Sequence, residues 1–111
     1  LPIYLTIDYM TQAGFHVLAM EPLEVPFEKA GEISPHAVYG LVRDTFLKNP
    51  KAEAIYLQGN AWRLLSIVEM MEADFGIPVI ETCCALTWEI QKRFHINEPR
   101  DGCGRLLREM P

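Results

Sequence analysis

The chain reads as an α/β protein: a small open parallel sheet of three to four strands flanked by helices, Rossmann-like in its alternation. Three observations lead there. Short apolar runs alternate with longer segments whose apolar residues recur at helical spacing. Gly or Pro stands at most of the boundaries between them. The apolar runs are hydrophobic on nearly every position, as strands buried on both faces of a parallel sheet are. Alternation of this kind implies right-handed crossovers and strand carboxyl ends gathered on one rim.

Residues 3–13 (Ile3 to Ala13) predict a helix, with Gly14 as its C-terminal stop. Phe15-His16-Val17-Leu18-Ala19-Met20 predicts a strand buried on both faces. Glu21 to Ile33, broken by Pro22, Pro26 and Gly31, is a loop long enough to serve as a lid, or an ordinary surface excursion. Ser34-Pro35 is a helix start, Ser as N-cap and Pro at the first helical position. That helix runs to about Lys48, with Val38, Leu41, Val42 and Phe46 on one face, and Asn49-Pro50 ends it.

Ala54 to Leu57 is the next strand. A long helix follows from Asn60 to Phe75, carrying Ala61, Leu64, Leu65, Val68 and Met71 on one face and closed by Gly76. Met70 and Met71 read as helix packing or surface residues. Pro78 to Thr82 is a short strand, and Cys84 or Ala85 begins a helix to about His95. The tail from Asn97 holds Pro99, Gly102 and Gly104, then Arg105-Leu106-Leu107-Arg108. No strand precedes the leading helix, so the sheet is expected to be completed by a further N-terminal part or by another chain. The opening at Leu1-Pro2, without an initiator Met, reads as that of a fragment or processed piece.

At 111 residues the chain is one domain, residues 1–111, and its 50% hydrophobic content suffices for a core. A formal charge of -5 and no basic run argue against nucleic acid. No stretch of about 18 apolar residues predicts a membrane span. Cys83, Cys84 and Cys103 are an odd count with one adjacent pair, which fits a reducing, cytoplasmic compartment. No C-x-x-C occurs and His16, His36 and His95 are scattered, which argues against zinc.

The candidate chemistry sits on the rim. Gln58-Gly59-Asn60 ends one strand and Thr82-Cys83-Cys84 the next, with Glu21 from the first. A helix opening at Asn60 would aim the backbone N–H groups of Gly59, Asn60 and Ala61 at an anion. The plain alternative is a strand-to-helix turn capped by Asn60. A thiol at a helix N-terminus has its pKa lowered, which fits Cys83 and Cys84 for acid–base or nucleophilic work. The alternative is small thiols packed under the sheet edge. Arg63 either reaches a carboxylate or holds a loop; Trp62 and Trp88 read as packing residues. Glu81 would repel an anion unless it faces away or binds Arg63 or Arg105.

Asn60-Ala61-Trp62-Arg63-Leu64-Leu65-Ser66-Ile67-Val68-Glu69, Glu72, Gly76-Ile77-Pro78-Val79-Ile80, Ala85, Trp88 and Gly102-Cys103-Gly104-Arg105-Leu106-Leu107 together resemble the C-terminal domain of the arylmalonate decarboxylase and maleate cis-trans isomerase family, within the Asp/Glu racemase superfamily. Ala13-Gly14-Phe15-His16-Val17 and Ser34-Pro35-His36-Ala37-Val38-Tyr39 look like its earlier junctions. The resemblance implies one half of a pseudo-symmetric two-domain architecture with the active site between the halves. It implies no cofactor, small carboxylic acids as substrates, thiols that move a proton beside a carboxylate, and backbone N–H groups that hold the enediolate.

One departure is central. The family's second-domain Cys falls at Gly59 here. The resemblance therefore implies a binding role for Gly59, Asn60 and Ala61 with Thr82 beside them, and leaves Cys83 and Cys84 as the candidate catalytic thiols. The functional expectation is an isomerase, racemase or decarboxylase with altered or lost chemistry; the alternative is a carboxylate-binding or regulatory module. A homo-oligomer or a missing N-terminal domain is expected to cover the interdomain face.

Overall fold

A computed structural model describes residues 3–22, 27–58 and 64–111. The described elements are α1 (Ile3–Gln12), a short 3-10 helix (Phe27–Glu32), α2 (Pro35–Lys48), β1 (Ile55–Leu57), α3 (Leu65–Phe75), β2 (Val79–Glu81), α4 (Thr82–Arg93) and α5 (Arg105–Glu109).

Local chemistry accounts for most of these boundaries. Gly14, at φ +98°, ends α1, and the Phe15 N–H returns to the Met10 carbonyl. The Ser34 side chain accepts from the Ala37 N–H and Pro35 opens α2. Gly76 closes α3 in the left-handed conformation, at φ 72°. The expected helix start at Asn60 lies outside the described residues; within them α3 begins at Leu65, with Leu64 at its N-cap and no side-chain cap. α4 starts at Thr82, because Glu81 rather than a cysteine-side residue caps it.

The sheet is smaller than the three to four strands expected. Among the described residues it has two parallel strands, with Ile55 opposite Val79, Tyr56 opposite Ile80 and Leu57 opposite Glu81. Phe15–Met20 forms no strand, and Phe15 is 59% and Leu18 44% exposed. The reason is that a strand exists only against a neighbour's edge; apolar β-prone residues without one gain no ladder.

The main core lies between α2, α3 and the sheet, built on Val38, Leu57, Leu64, Val68, Met71 and Val79. Of the inward positions expected on α2 and α3, Leu65 is exposed while Ile67 is buried instead, and Ala61 lies outside the described residues. Phe75 stacks against Tyr39 and Phe46 where α2 meets α3. A second, smaller core joins α4 to the tail: Cys84, Leu107 and Met110, with Trp88 and Cys103 against them. None of the described helices is long and apolar enough to cross a membrane.

Candidate functional site on the strand-end rim

Two strands in parallel register place the residues that follow them side by side. Leu57 pairs with Glu81, so Gln58 and Thr82 both emerge at the same end of the sheet. The Thr82 hydroxyl donates to the Leu57 carbonyl at 3.3 Å, and the Tyr56 hydroxyl lies 3.5 Å from it. Tyr56, Gln58, Thr82 and Cys83 are thus the described rim. Tyr56 is a rim residue that the sequence reading passed over, since a strand tyrosine looks like packing. The other half of the expected site, Gly59, Asn60 and Ala61, together with Trp62 and Arg63, lies outside the described residues.

The start of α4 departs from expectation. Its first turn contains no open anion site, because the chain's own Glu81 carboxylate occupies it. Glu81 is 1% exposed and accepts from the Cys84 N–H at 2.6 Å. A negative group built into the cap cancels the attraction a helix N-terminus offers a thiolate. Both thiol pKa values accordingly move up, not down as expected. Burial comes first and the Glu81 carboxylate second at Cys83, which is half-buried. Cys84, 2% exposed, is pushed up from 9.0 to about 12 by burial, then by its hydrogen bond to Glu81. Its Sγ donates to the Cys103 carbonyl at 3.3 Å. Cys84 is therefore a protonated thiol embedded in the second core, and Cys83 the more accessible of the pair.

A pH test follows. The folded chain retains the Cys84 proton where an unfolded chain would lose it. Stability from this group is thus complete below the ordinary thiol value and falls as pH rises toward about 12. The stability difference between wild type and Cys84→Ala should narrow across that alkaline window, read from urea melts at a series of pH values. A difference that stays constant with pH contradicts the assignment.

Glu69 and Glu72 hold the tail against the sheet. Gly102 N–H donates to Glu69 at 2.8 Å, and Arg108 reaches the same oxygen at 3.4 Å. Glu72 accepts from the Arg105 N–H at 2.9 Å and, through its other oxygen, from the Val79 N–H at 3.0 Å. The Gly-Cys-Gly-Arg run is thereby fastened to α3 and to β2, and Cys103 is brought onto Cys84. The signal in the sequence was the Glu pair three residues apart on one helix face, but its partners lie 33 residues away for both Gly102 and Arg105. Trp88 is a packing residue in the second core, its indole N–H donating to the Pro111 carbonyl at 3.1 Å. Arg105 faces Glu109 at 3.5 Å rather than Glu81.

A family model described as arylmalonate decarboxylase matches residues 4–107. A solved structure described as "Crystal structure of arylmalonate decarboxylase" superposes with a TM-score of 0.69 at 22% identity, over 78% of this chain and 38% of that one. The fold is shared, and the chain spans under two fifths of that protein's length. No curated protein matches the chain.

Proposed function

We propose, from the premise that this chain belongs to the arylmalonate decarboxylase family, that it serves cofactor-independent chemistry on small carboxylic acids as an isomerase, racemase or decarboxylase. The family match across residues 4–107 carries the reading. The substrate carboxylate would rest on the backbone of Gly59, Asn60 and Ala61, with Thr82 as neighbour. In this reading the chain forms one wall of the site, the other coming from an N-terminal domain or a second subunit, and works in the cytoplasm.

The chemistry is altered because Gly59 stands where the family has its Cys. Cys83 is the thiol left on the rim. Held protonated by burial and by Glu81, it suits proton donation to an enediolate. Cys84 is the less suitable of the two, being enclosed and hydrogen-bonded to Cys103.

The raised thiols favour a second reading, a module that binds a carboxylate without turning it over. One experiment separates the two. The protein is incubated in D2O with a panel of small dicarboxylic, aryl-substituted and amino acids, and exchange at the α-carbon is followed by NMR beside a thermal-shift screen. Exchange that falls at least about tenfold in Cys83→Ser supports the catalytic reading. Stabilisation without exchange supports binding alone. Full exchange in Cys83→Ser, Cys84→Ser and the double variant removes the thiols from the mechanism. No response to any acid counts against both readings.

A further inference from the structure

Two of the three thiols meet where the tail folds back on α4. Cys84 stands in the first turn of that helix, 2% exposed, and Cys103 lies half-buried against the same small core. The Cys84 Sγ donates to the Cys103 carbonyl at 3.3 Å, although the residues are 19 apart in the sequence. A carbonyl oxygen is only about 2.4 Å from its own Cα, so the buried sulfur sits close under the backbone that carries the second thiol. Neither thiol has a part in the rim chemistry assigned to Cys83.

The turn around Cys103 is held at both ends and adjustable in the middle. Glu69 fixes the Gly102 N–H at 2.8 Å, and Glu72 fixes the Arg105 N–H at 2.9 Å. Between these clamps Cys103 is flanked by Gly102 and Gly104, at φ 89° and 97°. Glycines allow the small backbone rotation that a disulfide needs to reach its bonding geometry. The clamps meanwhile keep the two sulfurs together, which makes their reaction effectively unimolecular.

We propose that Cys103 and Cys84 form a reversible disulfide under peroxide, fastening the tail to the first turn of α4. The inference is independent of the catalytic reading. The half-buried Cys103 thiol meets the oxidant. Its sulfur bonds one peroxide oxygen, the O–O bond breaks and the other oxygen leaves as water, giving a sulfenic acid. The Cys84 sulfur then attacks that sulfur. The S–S bond forms, the S–O bond breaks, and the hydroxyl leaves with the Cys84 proton as a second water. Each sulfur gives up one electron and the peroxide takes both. A small dithiol reverses the bond by exchange. Burial keeps Cys84 itself from the oxidant, and its raised proton affinity denies the reduced pair the thiolate stabilisation that makes some disulfides easy to reduce. Thr82 and Cys83 share the first turn of α4, so the crosslink joins the rim to the tail.

Hydrogen peroxide added to the native protein, then alkylation and tryptic digestion without reductant, tests it by mass spectrometry. Cleavage after Arg63, Lys92, Arg100 and Arg105 leaves Cys83 and Cys84 on peptide 64–92 and Cys103 on peptide 101–105. Wild type should yield the two peptides joined, less two hydrogens, with no crosslinked dimer on a nonreducing gel, and dithiothreitol should separate them. Cys83→Ser should keep the joined pair, and Cys84→Ala and Cys103→Ser should lose it. In urea melts the unfolding equilibrium constant of oxidised wild type should fall at least about tenfold below that of the reduced protein, a difference absent from Cys103→Ser. Peptides that stay separate after peroxide, a pair that persists in Cys84→Ala or vanishes in Cys83→Ser, links only between two chains, or an oxidised protein no more stable than the reduced one each overturn the proposal. Should Cys84→Ala fail to fold, Cys83→Ser and Cys103→Ser still identify the partners.

Discussion

Glu72→Ala should lower the unfolding free energy by about 2–4 kcal/mol, since two hydrogen bonds to a charged group are lost together. The carboxylate takes the Val79 N–H at 3.0 Å and the Arg105 N–H at 2.9 Å. Val79 is 2% exposed, so its N–H has no ready access to water once the acceptor is gone. The residue ties three elements with one side chain, α3 to β2 and to the start of α5. Glu72→Gln keeps a single acceptor oxygen and turns an NH2 toward the other donor, so it should recover less than half of the loss. Urea denaturation of the three proteins measures this. A loss below about 0.5 kcal/mol for the alanine variant, the size of an ordinary surface change, would show that water replaces the clamp.

Gly104→Ala should cost about 3 kcal/mol or more, from two separate causes. The backbone at Gly104 has φ 97° and ψ 176°, a region open essentially to glycine alone. A Cβ there would also stand 2.7 Å from Val68 Cγ1, a fully buried, β-branched side chain with little room to turn. Gly14→Ala isolates the first cause: φ is +98° and nothing lies within 4 Å of the added carbon, so about 1 kcal/mol is expected. The steric part should appear as coupling. Gly104→Ala combined with Val68→Ala should be less destabilising than the sum of the two. Lifting the tail also uncovers Cys84, so thiol labelling of Cys84 should quicken in Gly104→Ala. Additive losses with unchanged labelling would mean that the tail moves aside freely and does not guard the thiol.

Both predictions fall on residues that the sequence marked without explaining. Glu69, Glu72 and the Gly-Cys-Gly-Arg run stood out as parts of a family pattern, and a pattern in a decarboxylase-like chain invites a catalytic reading. Their hydrogen bonds show a fastening instead. The thiols show the same limit from the other side. A cysteine in the first turn of a helix reads as activated until the capping residue is known. Here the cap is itself a carboxylate, and the shift reverses.

The sequence by itself determined the elements whose causes are local. Ser34-Pro35 opens α2 through a side-chain cap, Gly14 and Gly76 stop their helices by adopting positive φ, and helical spacing picked out Val38, Val42, Val68 and Met71 as core. Each depends on neighbours within about one or two helical turns, which a linear reading contains. Tertiary structure decided whatever needs a distant partner. Phe15–Met20 has the composition of a buried strand, yet strand pairing requires an edge brought from a distant segment, and among the described residues it pairs with none. Glu81 caps α4, Glu72 joins three elements, and Cys84 is sealed by Cys103, all through contacts that exist only once the chain has folded back on itself. Helical order is local hydrogen bonding; sheets, thiol environments and clamps are long-range, and spacing along the sequence does not encode which surface each will meet.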